Sequence, residues 1–158
     1  YEIKECDWNS DVCSSDLTAL ALGRGSDIFA AGVDIHGVHD FTTNGSGAGS
    51  ALAAAMGGSA QFEPNDREKA LDVAWKSSPV SSVPTWKSPV LFIHGDDDRN
   101  VRFSQTVDLV QRIAAKGVEY EELVIVDDTH HFMRHANQLR VNAAIAAYLE
   151  KKLKLPKM

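Results

Sequence analysis

Residues 90–101, VLFIHGDDDRNV, and residues 119–135, EYEELVIVDDTHHFMRH, carry the reading of this chain. Each opens with a short run of apolar and β-prone residues and then turns polar within one or two positions, as a buried strand does when it leaves a sheet. Between them, Ser104–Lys116 sets apolar residues at 107, 109, 110, 113 and 114. That spacing is one helical face, with Ser104 expected as N-cap and Gly117 as C-cap. A strand, a helix and a second strand in this order predict a parallel crossover unit with helices over the sheet.

The same rhythm extends outward in both directions. Asn137–Leu153 aligns Val141, Ala144, Ile145, Tyr148 and Leu149 on one helical stripe. Upstream, Ala30–His36 (AAGVDIH) reads as a short buried strand, preceded by the helix-prone Leu17–Leu22, which ends at Gly23 and Gly25. Glu63–Lys76 reads as a helix, with Pro64 near its start and Asp66 and Glu68 in its first turns, where negative charge suits the helix dipole. Ser77–Pro89 holds Pro79, Pro84 and Pro89 and is expected to be extended. Thr42–Ala60 is rich in Gly, Ser and Ala and is expected to be a surface loop with room for one short helix. Its glycines at 45, 47 and 49 do not complete a GxGxxG phosphate cradle, because residue 50 is Ser. The expected class is α/β, a mostly parallel sheet with helices on both faces. So few strands cannot cover both faces of such a sheet, and further strands are expected upstream of residue 1.

Composition narrows the partners. The 158 residues suit one domain, and a formal net charge of −6 argues against nucleic acid or an anionic membrane surface, which need clustered Lys and Arg. The basic tail at Lys151, Lys152, Lys154 and Lys157 is expected to solvate a helix end. No apolar run approaches a membrane span; Ala51–Met56 is the longest. Asp7–Leu17, DWNSDVCSSDL, shows neither apolar periodicity nor turn chemistry and resembles the translation of a common sequencing adapter, identical except at Asn9. Residues 1–17 are therefore expected to be irregular and foreign to the fold, the natural N-terminus to be missing, and Cys6 and Cys13 to carry no redox meaning. Residues 18–158 form the expected domain.

In open α/β sheets, functional side chains gather in the loops at the carboxyl ends of strands. Two such loops here are rich in chemistry: 95–101 (GDDDRNV) and 127–135 (DDTHHFMRH). An acid in one loop and a His in the next follow the Ser, Asp, His order of α/β hydrolases. There a neutral imidazole takes the serine's proton, while a carboxylate fixes its tautomer and stabilises the imidazolium. Other patterns are weaker. His131 and His135 stand four apart, but residue 132 is Phe, so HExxH fails and no metal site is expected. Asp34, His36 and His39 are expected to be packing and loop residues, on a loop facing the active-site side. Trp75 and Trp86 are expected in the core or at a domain contact.

The segment from Ser88 to His135 resembles the end of the catalytic domain of the prolyl oligopeptidase family, which includes dipeptidyl peptidases and acylaminoacyl peptidases. The resemblance runs from about Thr18 to Leu153. HG followed by an acid-rich turn and NV, then a strand ending in D-x-x-H, carries it. The resemblance implies an α/β-hydrolase fold and a Ser-Asp-His triad that cleaves peptides without a cofactor. It places the acid at Asp98, two residues before the Asn of the NV pair, and the histidine at His130, closing D-x-x-H from Asp127. LTALALGRG and DIFAAGVDIHG resemble the helix after the nucleophile and the strand behind it. It also implies an N-terminal β-propeller, absent from these residues.

One part of the family pattern is missing. The nucleophile belongs in G-x-S-x-G-G, on a strained turn that needs Gly. In register with Leu17, the serine would fall at Val12 and the glycines at Ser14 and Ser15. Ser14 and Ser15 have no elbow or oxyanion donors to serve as substitutes. The chain alone is therefore expected to be an inactive portion of a serine peptidase that acts on peptides or oligopeptides. An esterase with the same triad, or a non-catalytic binding relative, are the rivals. Compartment and oligomeric state are not legible.

Overall fold

The computed structural model describes residues 14–43 and 64–153. Cys6, Val12, Cys13 and nearly all of the Gly/Ser/Ala-rich stretch, from Asn44 on, lie outside them. Its element order is α1 (Ser14–Arg24), β1 (Gly32–Ile35), α2 (Pro64–Ser77), a 3-10 helix (Pro79–Thr85), β2 (Val90–Gly95), α3 (Ser104–Lys116), β3 (Tyr120–Ile125) and α4 (His135–Leu153). The three strands form one parallel sheet in the order β1-β2-β3.

Strand β2 is central and buried along its whole length, which is why it reads as a continuous apolar run rather than an alternating one. Successive side chains point to opposite faces. Val90 and Phe92 pack on one face with Ala19 and Leu22 of α1, Val80, Val83 and Trp86 around the 3-10 helix, and Leu109, Val110 and Ile113 of α3. Leu91 and Ile93 pack on the other face with Ile125, Phe132 and the α4 stripe headed by Val141 and Tyr148. Helices therefore cover both faces, as the sequence pattern predicts. Full burial of each large apolar side chain contributes about 1.5–3 kcal/mol, so the core rests on these two clusters.

Four local expectations are corrected. Ser77–Pro89 is not extended throughout, because Pro79–Thr85 forms a 3-10 helix with Pro79 in its first turn and Pro84 inside it. The fixed φ of proline fits such a helix, and its missing N–H costs nothing in a first turn. Ser104 is the first helical residue of α3 rather than its cap; Phe103 holds the cap position without a side-chain bond, its ring set edge-on against His94 at 5.4 Å. The buried face of α3 is turned relative to the apolar pattern: Gln105 and Thr106 are buried with Leu109, Val110 and Ile113, whereas Val107 is 38% exposed. Ser14–Leu17, the end of the segment read as irregular, form the first turn of α1.

Gly117 closes α3 as expected, with φ at +78° and its N–H donated to the carbonyls of Ala114 and Ile113. Gly95 serves a different purpose. A Cβ there would meet the Asp128 carbonyl oxygen at 2.4 Å and its carbon at 2.9 Å. The two loops beyond β2 and β3 can approach only because residue 95 has no side chain. We expect Gly95→Ala to destabilise the fold by about 2–4 kcal/mol through this backbone clash, against about 1 kcal/mol for Gly117→Ala, where only φ is at issue. Chemical denaturation of both variants checks this; equal losses would contradict it.

Candidate active site

Gly95 ends β2, and the chain turns at once into Asp96–Asp98. The loop is tied to its neighbour by backbone bonds: Asp96 N–H donates to the Ile125 carbonyl at 3.2 Å and Asp97 N–H to the Asp128 carbonyl at 3.2 Å. Asp96 Oδ1 accepts the Asp127 N–H at 2.7 Å. Asp96 and Asp97 are exposed, and Asp98 alone of the three turns inward, its side chain 0% exposed. Its Oδ1 accepts the N–H groups of Asn100 at 2.8 Å and Val101 at 2.9 Å, which fold the loop around the carboxylate.

Asp98 Oδ2 faces two imidazoles. His130 Nδ1 lies 2.7 Å away and His94 Nε2 3.3 Å away. A carboxylate only accepts, so His130 carries its proton on Nδ1, and in the neutral ring Nε2 keeps its lone pair. His94 Nε2 also meets the Val101 carbonyl at 3.0 Å, which likewise only accepts. The Nε2–H tautomer follows, and Thr106 Oγ1 then donates to His94 Nδ1 at 2.7 Å. Burial alone would raise the Asp98 carboxyl, but the hydrogen bonds from His130, His94 and Val101 outweigh it and hold the group well below the usual carboxylate range.

The histidine loop is anchored by Asp128. Its Oδ1 accepts the N–H groups of Thr129 at 2.9 Å and Met133 at 3.0 Å, and its Oδ2 accepts from Asn137 Nδ2 at 2.7 Å. Burial opposes these bonds, which nevertheless hold its carboxyl below its ordinary value. Asp127, which opens the D-x-x-H pattern, is exposed and only shapes the turn, with φ at +54°. His131 is exposed and stands edge-on to His130 at 5.3 Å. Of the two neighbouring histidines, His130 is the one brought to Asp98.

A third group reaches the pair from β1. The His36 ring lies 3.7 Å from that of His130, centroid to centroid, and 5.6 Å from that of Phe132. Burial, together with the neighbouring His130, pushes His36 down from 6.5 to about 4, against the pull of Asp98. Behind it, Asp34 and His39 are both fully buried, with His39 Nε2 3.2 Å from each Asp34 oxygen and Nδ1 3.1 Å from the Gln105 carbonyl. Both ring nitrogens of His39 thus face acceptors. Burial alone would lower His39, but Asp34 and the Gln105 carbonyl raise it. Gln105 Oε1 accepts the N–H groups of His39 at 2.9 Å and Asp40 at 2.8 Å, locking the β1 loop to α3. Gln105, Thr106 and Asp128 are not singled out by sequence, and His94 only as part of the HG pair. Nothing in the apolar spacing marks Gln105 and Thr106, whose burial shows only in the fold. Trp86 is core, whereas Trp75 lies 40% exposed under Arg112.

Among the described residues, no cluster of His, Cys, Asp and Glu is placed to hold a metal, and no helix is long and apolar enough to cross a membrane. Asp16, within the adapter-like string, has Oδ1 buried without a hydrogen-bond partner, and burial raises its carboxyl.

A parallel sheet with an Asp and a His on the carboxyl-end loops of neighbouring strands defines the C-terminal portion of an α/β hydrolase. The chain belongs to the prolyl oligopeptidase family, whose model matches residues 16–156. It is similar to dipeptidyl-peptidase 5 of Porphyromonas gingivalis, 29% identical over 80 residues, which cover 51% of this chain and 12% of that protein. Its fold is similar to that of the acylaminoacyl peptidase of Pyrococcus horikoshii, with a TM-score of 0.70 at 23% identity over 91% of this chain and 23% of the other. An acylaminoacyl peptidase in complex with Z-Gly-Gly-Phe-chloromethyl ketone gives 0.71 at 22% identity, again over 91% and 23%. The chain thus spans less than a quarter of the length of these relatives.

The two histidines near β1 give stability opposite pH dependences. His36 is depressed in the fold, so the unfolded chain binds its proton first and stability falls as pH drops from 6.5 to about 4. His39 is raised, so its contribution is complete below 6.5 and is lost as pH rises through its folded value. Asp98 is depressed, and its contribution is lost only below about 3.8 as pH falls further. We expect His36→Phe to abolish a loss on the order of 3 kcal/mol between pH 6.5 and 4. Urea titrations across that range check it; an unchanged slope in the variant would contradict it.

Proposed function

We propose that this chain is the acid–base half of a serine peptidase's catalytic centre, with His130 as general base then acid and Asp98 as the residue that orients it. The 2.7 Å bond between His130 Nδ1 and Asp98 Oδ2 carries this reading, because it sets Nε2 as the basic nitrogen. Membership of the prolyl oligopeptidase family supports a peptide substrate, as does the fold's likeness to an acylaminoacyl peptidase held with a peptidyl chloromethyl ketone.

In the whole enzyme, a serine on the strand-to-helix turn before α1 attacks the scissile carbonyl carbon while its proton passes to His130 Nε2. The imidazolium, stabilised by Asp98, then protonates the leaving amine as the C–N bond breaks. Water repeats the sequence on the acyl ester, giving up its proton to Nε2 and freeing the serine. No step calls for a cofactor. The residues before Thr18 do not spell the Gly-rich elbow that this serine requires, so the chain alone does not hydrolyse peptides.

The test restores the missing half. Residues 18–158 are joined to an upstream catalytic portion carrying G-x-S-x-G-G, then assayed on blocked peptides and on a p-nitrophenyl ester. We expect peptide hydrolysis that falls about 10,000-fold with Asp98→Asn and at least as far with His130→Ala. Ester cleavage without peptide cleavage would move the assignment to an esterase. Serine labelling by a fluorophosphonate that survives both substitutions undiminished would overturn the roles given to Asp98 and His130.

A further inference from the structure

Three residues other than glycine adopt positive φ among the described residues: His36 at +48°, Asp127 at +54° and Phe132 at +45°. All three surround His130. Asp127 and Phe132 bracket it in its own loop, and His36 comes from the end of β1 to lie against its ring at 3.7 Å with a tilt of 43°. Left-handed backbone is costly for side-chain-bearing residues and persists where surrounding structure over-determines it.

The β1 loop is over-determined in this way. The His36 N–H donates to the Ile93 carbonyl at 2.8 Å, continuing the β1-β2 ladder one residue past the strand. Asp34 Oδ1 accepts the Gly37 N–H at 3.3 Å. The fully buried Asp34–His39 pair and Gln105 then fix the next turn. A buried Asp34–His39 contact thus holds a short loop from which the His36 ring meets that of His130.

The torsion that turns a histidine ring about its Cβ–Cγ bond is broad, so a single bond to Asp98 at Nδ1 leaves the ring plane free to swing. A second ring packed against it limits that swing. We propose that His36 is a positioning residue for His130: its ring, tilted against the base, limits the swing of the imidazole plane and so keeps Nδ1 aligned on Asp98 and Nε2 turned outward. This deepens the reading of Asp98 and His130 given above and rests on it. The face must be uncharged when His130 becomes an imidazolium, and His36, lowered to about 4, meets that condition at neutral pH.

Nitrogen-15 NMR of the imidazoles in this chain at neutral pH tests the proposal, since the shifts separate the Nδ1–H and Nε2–H tautomers without any need for activity. His36→Gly removes the ring while suiting the positive φ, so the backbone is relieved rather than strained. His36→Phe keeps an aromatic wall. We expect His130 to be held as Nδ1–H in the unsubstituted chain and in His36→Phe. In His36→Gly the Nε2–H fraction rises at least threefold. An unchanged ratio in His36→Gly, or equal shifts in both variants, overturns the positioning role. Asp98→Asn separates this failure from a deeper one: if it too leaves the ratio unchanged, the Asp98–His130 pairing itself is wrong.

Discussion

A carboxylate with no exposure to water is the constraint on which this structure depends. A buried charge is tolerated only when its lone pairs are all met, and Asp98 collects its donors from three sources: the backbone of its own loop, His94 at the end of β2, and His130 from the loop after β3. Each of those donors is held in turn. Thr106 and the Val101 carbonyl fix the tautomer of His94, and Asp128 ties the histidine loop to the start of α4. The bare Cα of Gly95 lets the two loops meet. A side chain there, or an amide in place of the carboxylate, would disturb the whole arrangement, not one contact. Bonds to a charged group contribute about 1.5–3 kcal/mol each, so this one carboxylate does much to hold the two loops together.

Much of this architecture was legible in the residues. β2 could be read because a strand buried on both faces must be continuously apolar, and VLFIH leaves no other choice. α4 could be read because its stripe is long and regular. The prolines between Ser77 and Pro89 mislead: Pro79 stands in a first turn, where its missing N–H costs nothing, and Pro84 sits inside the short 3-10 helix without breaking it. α3 was placed correctly in sequence but rotated, because polar residues at its start are buried. Apolar periodicity cannot register a Gln that faces inward to hold backbone N–H groups of a distant loop.

The site divides along the same line. The positions of Asp98 and His130 followed from loop order and family pattern, and the structure brings those two side chains within 2.7 Å of each other. The contacts around them are not legible, since the partners lie far apart in the chain: His36, read only as a residue of a loop on that side, meets His130, and Gln105 meets His39. The pattern opens at Asp127, but the anchoring acid is its neighbour Asp128; alternation within an irregular turn has no fixed period that would show which of two adjacent acids turns inward. Asp16 marks another limit. It is a buried carboxyl with an unmatched oxygen in the first turn of α1, within a string that shows no apolar periodicity.

Asp98 and His130 are expected to act as one coupled unit within this chain, independent of any serine. A double-mutant cycle of Asp98→Asn and His130→Ala, read by urea denaturation at neutral pH, measures that coupling directly. We expect an interaction energy of about 1–3 kcal/mol, as for a buried charge-assisted hydrogen bond. Losses that add to within about 0.3 kcal/mol would mean that the two residues act separately, and would contradict it.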